Sequence, residues 1–262
     1  MLKRRLIPKL LIRTLKLGDR LRPVLVTTLQ FGKSIEIGDP VSQARIYEAQ
    51  AADELVILDL DASLNSRKTL VDVVRKAAEV VFMPFTVGGG VRSVEDFVVL
   101  LSNGADKVSI NTAAVENPKL IDEAASVLGS QCVVLSIDYR KEVTGGYKVW
   151  TRGGKVKTTL DPVEWAKEGE KRGAGEILLT SIDLDGTRAG LDVEMVRKVA
   201  ESVSIPVIAS GGCGLAAHFV EGYTRGNADA VSAGTYFCFK DENTMQVRSH
   251  IKNAGVPIRL HQ

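Results

Sequence analysis

The sequence predicts an α/β fold, a (β/α)8 barrel, from three observations. Eight short runs rich in β-branched and aliphatic residues alternate with amphipathic segments, as in parallel strands joined by helices. The length of 262 residues is close to the ~250 residues that one such barrel usually takes. The two halves of the chain also repeat each other, which predicts a barrel built from two similar half-barrels. We therefore expect residues 1–262 to form one barrel domain.

The predicted elements follow in order along the chain. Three helices have a marked start, in which Asp39, Asn117 or Asp161 caps the helix and the next residue, a proline, takes its first position. The eight predicted strands are residues 6–12, 55–59, 82–87, 107–110, 132–137, 177–181, 207–210 and 230–233. The three capped helices are residues 41–52, 119–128 and 163–172.

Two longer segments interrupt this alternation, at residues 13–37 and 141–159. Glycine pairs in the second segment indicate a hairpin. Both segments follow strands, so we expect both at the mouth of the barrel, where the strands end and where barrel enzymes place their catalytic groups.

The internal repeat is visible in glycines and in an Ala-Asp pair. Gly211 follows Gly88, and Asp229 follows Asp106, by the same 123 residues (211 − 88 and 229 − 106). Two four-strand halves joined head to tail form a closed barrel with pseudo-twofold symmetry. The repeat therefore favours the closed barrel over an open doubly wound sheet, which the alternation alone also allows.

The composition excludes several classes of protein. Hydrophobic residues make up 45% of the chain, and 34 Lys and Arg nearly balance 32 Asp and Glu. These values argue against disorder and against a nucleic-acid coat. The sequence contains no run suited to a membrane span and no signal-peptide core, so we expect a cytoplasmic protein with neither nucleic-acid nor membrane partners. Cys132, Cys213 and Cys238 have no paired spacing and the three histidines form no ligand pattern, so we expect no disulfide, metal or other cofactor.

The glycine runs after strands are candidate phosphate sites. Backbone amides left open by glycine near the start of a helix can cradle an anion. Matching runs in both halves predict a ligand with a phosphate at each end, spanning the mouth. The alternative is that the glycines only permit tight turns. The residues assigned to phosphate binding are Gly88, Gly89, Gly90, Asn111, Thr112, Asp185, Gly186, Gly211, Gly212, Gly234 and Thr235.

Asp138 is the candidate acid/base residue. It follows the apolar run 133–137 at the mouth end of a strand, where little water is expected and where a carboxylate can transfer protons. A capping or ion-paired aspartate is the alternative.

Four charged residues stand immediately before predicted strands, at the opposite end of the barrel. Two positive and two negative charges on one rim can form a ring of ion pairs, which would matter if something passes along the axis. The alternative is that each charge is separately solvated. The four residues are Arg5, Glu54, Lys107 and Glu176.

The chain resembles the cyclase subunit family of imidazole glycerol phosphate synthase over nearly its whole length. The resemblance implies a bisphosphorylated small-molecule substrate at the two glycine-rich loops and a class I glutaminase subunit docked on the bottom face as a heterodimer. Ammonia from that subunit would pass through the barrel, and the four rim charges match the family's gate positions. Asp106 matches a position that contacts the glutaminase. The segments that carry the resemblance are residues 85–90, 105–118, 173–183 and 208–212.

One departure from the family concerns catalysis. The family uses an aspartate on strand one and another on strand five. Asp138 matches the second, but Leu11 stands in place of the first, and Thr27 stands near the place of a lysine expected after strand one. General acid/base assistance is worth ~10²–10⁴ in rate, so the resemblance implies weak or absent cyclisation while ammonia delivery survives.

Three functions are compatible with this pattern. Leu11 favours a divergent paralogue that supplies ammonia for sugar amidation in surface-polysaccharide synthesis, with a sugar amidotransferase as an additional partner. The second is the genuine cyclase of histidine biosynthesis. The third is a non-catalytic scaffold that activates the glutaminase and conducts its ammonia.

Overall fold

Eight parallel strands close into a barrel in the structure, a computed structural model that describes residues 3–17, 20–62, 71–239 and 241–259. The strands in those ranges are β1 (Arg5–Leu17), β2 (Arg20–Thr28), β3 (Ser34–Gly38), β4 (Leu55–Asp59), β5 (Phe85–Gly88), β6 (Lys107–Ile110), β7 (Val133–Lys141), β8 (Tyr147–Thr151), β9 (Val156–Lys157), β10 (Glu176–Ser181), β11 (Val207–Ser210) and β12 (Ala230–Ala233). Around the barrel the order is β1, β4, β5, β6, β7, β10, β11 and β12, and β12 pairs with β1. The prediction of a (β/α)8, or TIM, barrel is confirmed.

Helices cover the outside of the barrel, and the main hydrophobic core lies between them and the strands. Within the described ranges, no helix is both long and apolar enough to cross a membrane. The helices are α1 (Pro40–Ala49), α2 (Val71–Ala78), α3 (Val94–Ser102), α4 (Thr112–Glu116), α5 (Lys119–Leu128), α6 (Pro162–Lys171), α7 (Val193–Ala200), α8 (Ala216–Thr224), α9 (Thr235–Phe239) and α10 (Thr244–Asn253).

Two of the three predicted helix caps are correct. The side chain of Asp39 accepts a hydrogen bond from the Ser42 amide, and Asp161 caps α6 in the same way. The prediction that Asn117 caps α5 is wrong, because its side chain makes no cap hydrogen bond. Its backbone amide instead donates to Ala113 O, which ends α4.

The strands differ from the prediction mainly at their ends. The predicted strand 82–87 begins only at Phe85, because the amides of Phe82 and Met83 donate to Glu48 Oε2 rather than to a neighbouring strand. The side chain of Phe82 is 86% exposed. The predicted strand 132–137 continues to Lys141, because its outer half pairs with β8.

The two halves of the barrel repeat one structural contact. Asp106 Oδ2 accepts a hydrogen bond of 2.9 Å from the amide of Phe85, at the start of β5. Asp229 Oδ2 accepts one of 3.0 Å from the amide of Val207, at the start of β11. The Ala-Asp repeat in the sequence therefore corresponds to the same strand-fixing contact in each half.

Both inserted segments form antiparallel ladders that extend strands of the barrel. The first is a three-stranded ladder in which β2 pairs with the outer half of β1 and β3 pairs with β2. Leu11, Val24 and Val26 are buried together at its base, against the partly buried Leu58 and Leu60. The second is the ladder of β7, β8 and β9, as the glycine pairs predicted. Leu11 therefore anchors the first ladder to the barrel.

We expect the change Leu11→Asp to destabilise the protein rather than supply a working carboxylate. A charge at this position would be buried among Val24 and Val26, so the free energy of unfolding should fall by about 3 kcal/mol or more. Denaturant unfolding monitored by circular dichroism measures this loss. The control is Leu15→Asp on the same strand, which should change stability by no more than about 0.5 kcal/mol because Leu15 is exposed. Equal losses in the two variants would contradict the packing role.

Candidate active site

The four charges predicted on the bottom rim form a closed ring of ion pairs. Arg5 Nη1 lies 2.7 Å from Glu54 Oε1, and Arg5 Nη2 lies 2.6 Å from Glu176 Oε1. Lys107 Nζ lies 3.1 Å from Glu54 Oε2 and 2.8 Å from Glu176 Oε2. Each cation thus bridges both carboxylates, and we call these four residues the charged ring.

The charged ring is largely buried, and its opposite charges stabilise the ionised forms of Arg5 and Glu54. Burial by itself would lower the pKa of Arg5, but the carboxylates of Glu176 and Glu54 outweigh it and raise that pKa. Burial would raise the pKa of Glu54, but the cations of Arg5 and Lys107 hold it below its usual value. The side chain of Lys107 is 19% exposed, the highest value in the ring. Lys107 is therefore the member most open to solvent.

Above the charged ring, the inward side chains form an apolar layer. Inward side chains recur at every second residue of a strand, so Ile7 follows Arg5 and Leu178 follows Glu176 on the inner face. These side chains form a buried cluster separate from the core under the helices. The layer consists of Ile7, Val56, Val134, Leu178, Ile208 and Ala230.

The next inward positions carry mostly hydroxyl groups. Within the described ranges, Ser109 Oγ and Ser232 Oγ are buried without a hydrogen-bond partner. Unpaired buried hydroxyls are costly, so they indicate that a small polar molecule can occupy this level of the axis. We call this level the hydroxyl layer; its residues are Ser109, Ser136, Thr180, Ser210 and Ser232.

Asp138 lies at the mouth end of the axis in a polar pocket. Its Oδ2 accepts a hydrogen bond of 2.7 Å from Asn111 Nδ2, and Thr180 also hydrogen-bonds to it. Burial raises the pKa of Asp138 to about 7, although the ammonium of Lys9 and these hydrogen bonds act in the opposite direction. A carboxyl group that titrates near neutral pH can both accept and release a proton, so Asp138 is suited to acid/base chemistry.

A cavity of about 300 Å³ opens above the hydroxyl layer and contains Asp138 in its wall. We call it the mouth cavity. Its volume is sufficient for a small organic ligand. Five cations on its wall outnumber three carboxylates and favour an anionic ligand. The cations are Lys9, Arg13, Arg92, Arg152 and Lys155, and the carboxylates are Asp59, Glu116 and Asp138.

The residues assigned to phosphate binding separate into two unequal spaces. Those of the amino-terminal half, Gly89, Gly90, Asn111 and Thr112, line the mouth cavity. Gly88 does not line it and packs between Leu58 and Ser109. Those of the carboxy-terminal half line a space of about 20 Å³, which holds about one water molecule. They are Asp185, Gly186, Gly211, Gly212, Gly234 and Thr235.

The first ladder closes the smaller space. Leu11, Leu25 and Val26 contribute to its wall. Beyond them, Thr28 Oγ1 donates to Asp185 Oδ2 at 2.7 Å, and the Gln30 amide donates to Asp185 O at 2.8 Å. The inserted segment therefore reaches across the mouth to the loop after β10.

Tight packing also requires some of the candidate glycines. Gly89 has a φ of +101°, and a Cβ there would lie 2.2 Å from Asp59 O. Gly212 has a φ of +112°, and a Cβ there would lie 1.9 Å from Gly190 O. Both backbones are thus in the left-handed region and close to a carbonyl group, so the turn interpretation applies to these two residues whether or not they also bind an anion.

Lys9 is a site residue that the sequence analysis missed. Its side chain is 4% exposed, and Nζ donates a hydrogen bond of 2.8 Å to Ser210 Oγ. Nζ also lies 3.6 Å from Asp185 Oδ1. Side chains alternate between the two faces of a strand, so the spacing of Arg5, Ile7 and Lys9 could have predicted that Lys9 lies on the inner face of β1.

Two further sequence predictions concern the partner contact Asp106 and the binding of a metal ion. Asp106 is exposed at the start of β6, on the same end of the barrel as the charged ring, and hydrogen-bonds to the amide of Phe85. In the part of the chain that the structure describes, no group of three or more His, Cys, Asp or Glu residues is arranged to bind a metal ion.

Comparisons with known proteins relate this geometry to one family. The family profile described as Histidine biosynthesis protein matches residues 16–243. A protein of Prochlorococcus marinus (strain MIT 9313), provisionally named imidazole glycerol phosphate synthase subunit hisF2, is 53% identical over 262 residues, all of both chains. The imidazole glycerol phosphate synthase subunit HisF of Clostridium botulinum (strain Okra / Type B1) is 47% identical over 237 residues, 90% of this chain and 94% of the relative.

We expect Gly89→Ala to destabilise the protein more than Gly145→Ala. Both glycines have φ near +95°, but a Cβ at Gly145 meets no atom within 4 Å, whereas one at Gly89 collides with Asp59 O. Gly145→Ala should cost about 1 kcal/mol for backbone strain, and Gly89→Ala about 2 kcal/mol more for the collision. Thermal and denaturant unfolding of the two variants measure the difference. Similar losses would show that the backbone at Gly89 can move away.

Proposed function

The chain belongs to the histidine biosynthesis protein family, as a cyclase-type subunit similar to HisF, and from that premise we propose that it receives ammonia at the charged ring and uses it at the mouth. The observation that supports this most directly is the order of groups along the barrel axis. A charged ring at the bottom, an apolar layer, a hydroxyl layer and a carboxyl group with a pKa near 7 follow one another. That order suits a small neutral base that enters below and reacts above.

The charged ring would control entry. Ammonia is small and uncharged, so the apolar layer can admit it more readily than ammonium, which would lose its hydration there. The ring is closed in this conformation, because Arg5 and Lys107 each hold both carboxylates. Lys107 is the member that would move, since it is the most exposed and its single ammonium is held less rigidly than a guanidinium that bridges with two nitrogens. Displacement of Lys107 would leave both carboxylates paired with Arg5 and the ring with one net negative charge.

The partner that supplies ammonia is proposed to be a class I glutaminase, forming a heterodimer. It would dock on the end of the barrel that carries the charged ring, so that ammonia enters without passing through solvent. Asp106 lies exposed on this end, next to the ring residue Lys107 in the chain. Its hydrogen bond to Phe85 holds it in place and leaves its other oxygen available for a partner.

The ligand at the mouth is proposed to be a phosphorylated small molecule. The cations and the glycine loop of the mouth cavity favour a phosphate group there. The bisphosphate implied by the family would require the smaller, carboxy-terminal space as well. That space would admit a phosphate only if the ladder formed by β1, β2 and β3 moved away from it.

At the mouth, Asp138 is the proposed proton acceptor. In its ionised form it can take the proton that ammonia loses when its nitrogen forms a new bond. Leu11 supplies no second carboxylate, so cyclisation of the imidazole ring would be slower than in a site with an acid/base pair.

A second candidate is supported by Leu11 alone. Its burial with Val24 and Val26 makes the loss of a carboxylate on β1 part of the packing. This favours a subunit whose ammonia serves another acceptor, such as a sugar in surface-polysaccharide synthesis, through a separate amidotransferase. The names of the relatives refer only to imidazole glycerol phosphate synthase and give this hypothesis no support.

The third candidate is a scaffold that only conducts ammonia. It would stimulate the glutaminase without forming any product of its own.

We expect the change Lys107→Met to uncouple glutamine hydrolysis from ammonia use. The barrel is assayed with its glutaminase and the bisphosphate substrate of imidazole glycerol phosphate synthase, driven either by glutamine or by a high concentration of ammonium salt. The ratio of the glutamine-driven to the ammonium-driven rate should fall several-fold in Lys107→Met and stay unchanged in Lys119→Met, an exposed position on α5. An unchanged ratio in Lys107→Met would contradict the proposed route.

If the barrel forms no product even at high ammonium, the cyclase hypothesis fails. The decisive assay is then ammonia transfer to a sugar by an added amidotransferase.

Asp138→Asn tests the chemistry at the mouth separately from ammonia delivery. The amide keeps the size of the side chain but accepts no proton, so the ammonium-driven rate should fall by about 10²–10⁴. Stimulation of glutamine hydrolysis by the barrel should persist, since the charged ring is intact. A rate close to that of the unchanged protein would remove Asp138 from the mechanism.

A further inference from the structure

Lys9 places a positive charge on the axis of the barrel. Its ammonium lies one inward position above Ile7 of the apolar layer and donates to Ser210 Oγ, with Asp185 Oδ1 3.6 Å away. An ammonium buried at this depth is unfavourable unless it is paired. A neutral residue would pack here at lower cost, so the charge itself is the feature that needs an explanation.

Two carboxylates, those of Asp185 and Asp138, interact with the ammonium of Lys9. Lys9 and Asp138 line the same mouth cavity, and Thr180 of the hydroxyl layer hydrogen-bonds to Asp138. Asp185 pairs with Lys9 from the loop after β10. Asp138 lines the mouth cavity and Asp185 lines the smaller space, whereas Lys9 lines both, so its ammonium is the charge shared by the two sides of the site.

We propose that Lys9 is a positioning residue, whose ammonium holds Asp185 and Ser210 in place and favours the proton-accepting form of Asp138, which lines the same cavity. The inference rests on the proposed function for the use made of Asp138. In this site β1 contributes a cation at position 9 and an apolar anchor, Leu11, two residues later.

The direction of the electrostatic effects agrees with this role. Burial raises the pKa of Asp138, the charge of Lys9 lowers it, and the charge of Asp185 raises it again. Groups from every neighbouring element face this carboxyl group or share its cavity. They are Lys9 and Arg13 on β1, Asp59 on β4, Arg92 after β5, Asn111 after β6, Glu116 on α4, Arg152 and Lys155 after β8, Arg140 stacked on Trp150 beside it, Thr180 on β10, and Asp185 after β10.

The reversed sign of the charge on β1 has a chemical consequence. A pair of carboxylates shares protons, so one member acts as acid while the other acts as base. The charge of Lys9 instead favours the ionised form of Asp138, which can then accept a proton. Leu11, the next inward position of β1, carries no carboxyl group that could donate one.

The test is a direct titration of Asp138 in the full chain labelled with ¹³C at aspartate carboxyl groups. Its signal is identified by its loss in Asp138→Asn, and its midpoint in the unchanged protein should lie near 7. In Lys9→Met the midpoint should rise by about one unit or more, because an opposite charge has been removed. In Lys9→Arg it should stay near that of the unchanged protein. Lys167→Met, which removes an exposed cation on α6, is the matched control and should leave it unchanged.

Folding is checked for each variant by circular dichroism and thermal unfolding. If Lys9→Met does not fold, Lys9→Gln decides, since glutamine can keep the hydrogen bond to Ser210 Oγ without the charge. An unchanged midpoint in a folded neutral variant would overturn the proposal, and so would a shift in Lys9→Arg as large as that in Lys9→Met. The titration needs neither glutaminase nor ammonia nor acceptor, so its failure would leave the ammonia route standing, and failure of that route would leave the titration result valid.

Discussion

Closure of eight parallel strands brings every second side chain of each strand onto one axis, and the rest of this site depends on that constraint. With a period of two, residues far apart in the chain meet at the same depth. The charged ring joins β1, β4, β6 and β10 at one level, and the apolar layer follows at the next. The order of the layers along the axis therefore follows from the alternation of side chains between the inner and outer faces of the strands.

The apolar anchor on β1 has consequences for both halves of the mouth. Packing of Leu11 against Val24 and Val26 holds the inserted ladder over the carboxy-terminal half, where it reaches Asp185 through Thr28. The same contact leaves the amino-terminal half open as the mouth cavity. The half-barrels are thus equivalent in their strand contacts and unequal in the space they offer a ligand. The scaffold repeats its strand contacts, but the site is asymmetric because Leu11 packs with the ladder over one half of the mouth.

Asp185 connects the inserted ladder to the axis. One of its oxygens accepts from Thr28 of the ladder, and the other faces the ammonium of Lys9. A movement of the ladder that breaks the Thr28 contact would remove one of the two side-chain partners of the Asp185 carboxylate and leave the ion pair with Lys9. The ladder is therefore connected to the axis by the Thr28–Asp185 hydrogen bond of 2.7 Å and the Lys9–Asp185 ion pair of 3.6 Å.

The fold class, the duplication and the identity of the four rim charges could be predicted from the sequence, because each depends on local periodicity or on a motif repeated along the chain. Three features required the folded chain: the rim charges close into one ring, the two glycine-rich spaces differ in size, and Lys9 bonds to Ser210, 201 residues away. The ends of elements also depended on it, as with Asn117, whose amide ends α4 instead of its side chain starting α5. The physical reason is that these features are contacts between elements distant in the chain. Their energy depends on register, burial and the approach of other strands, none of which a local pattern specifies.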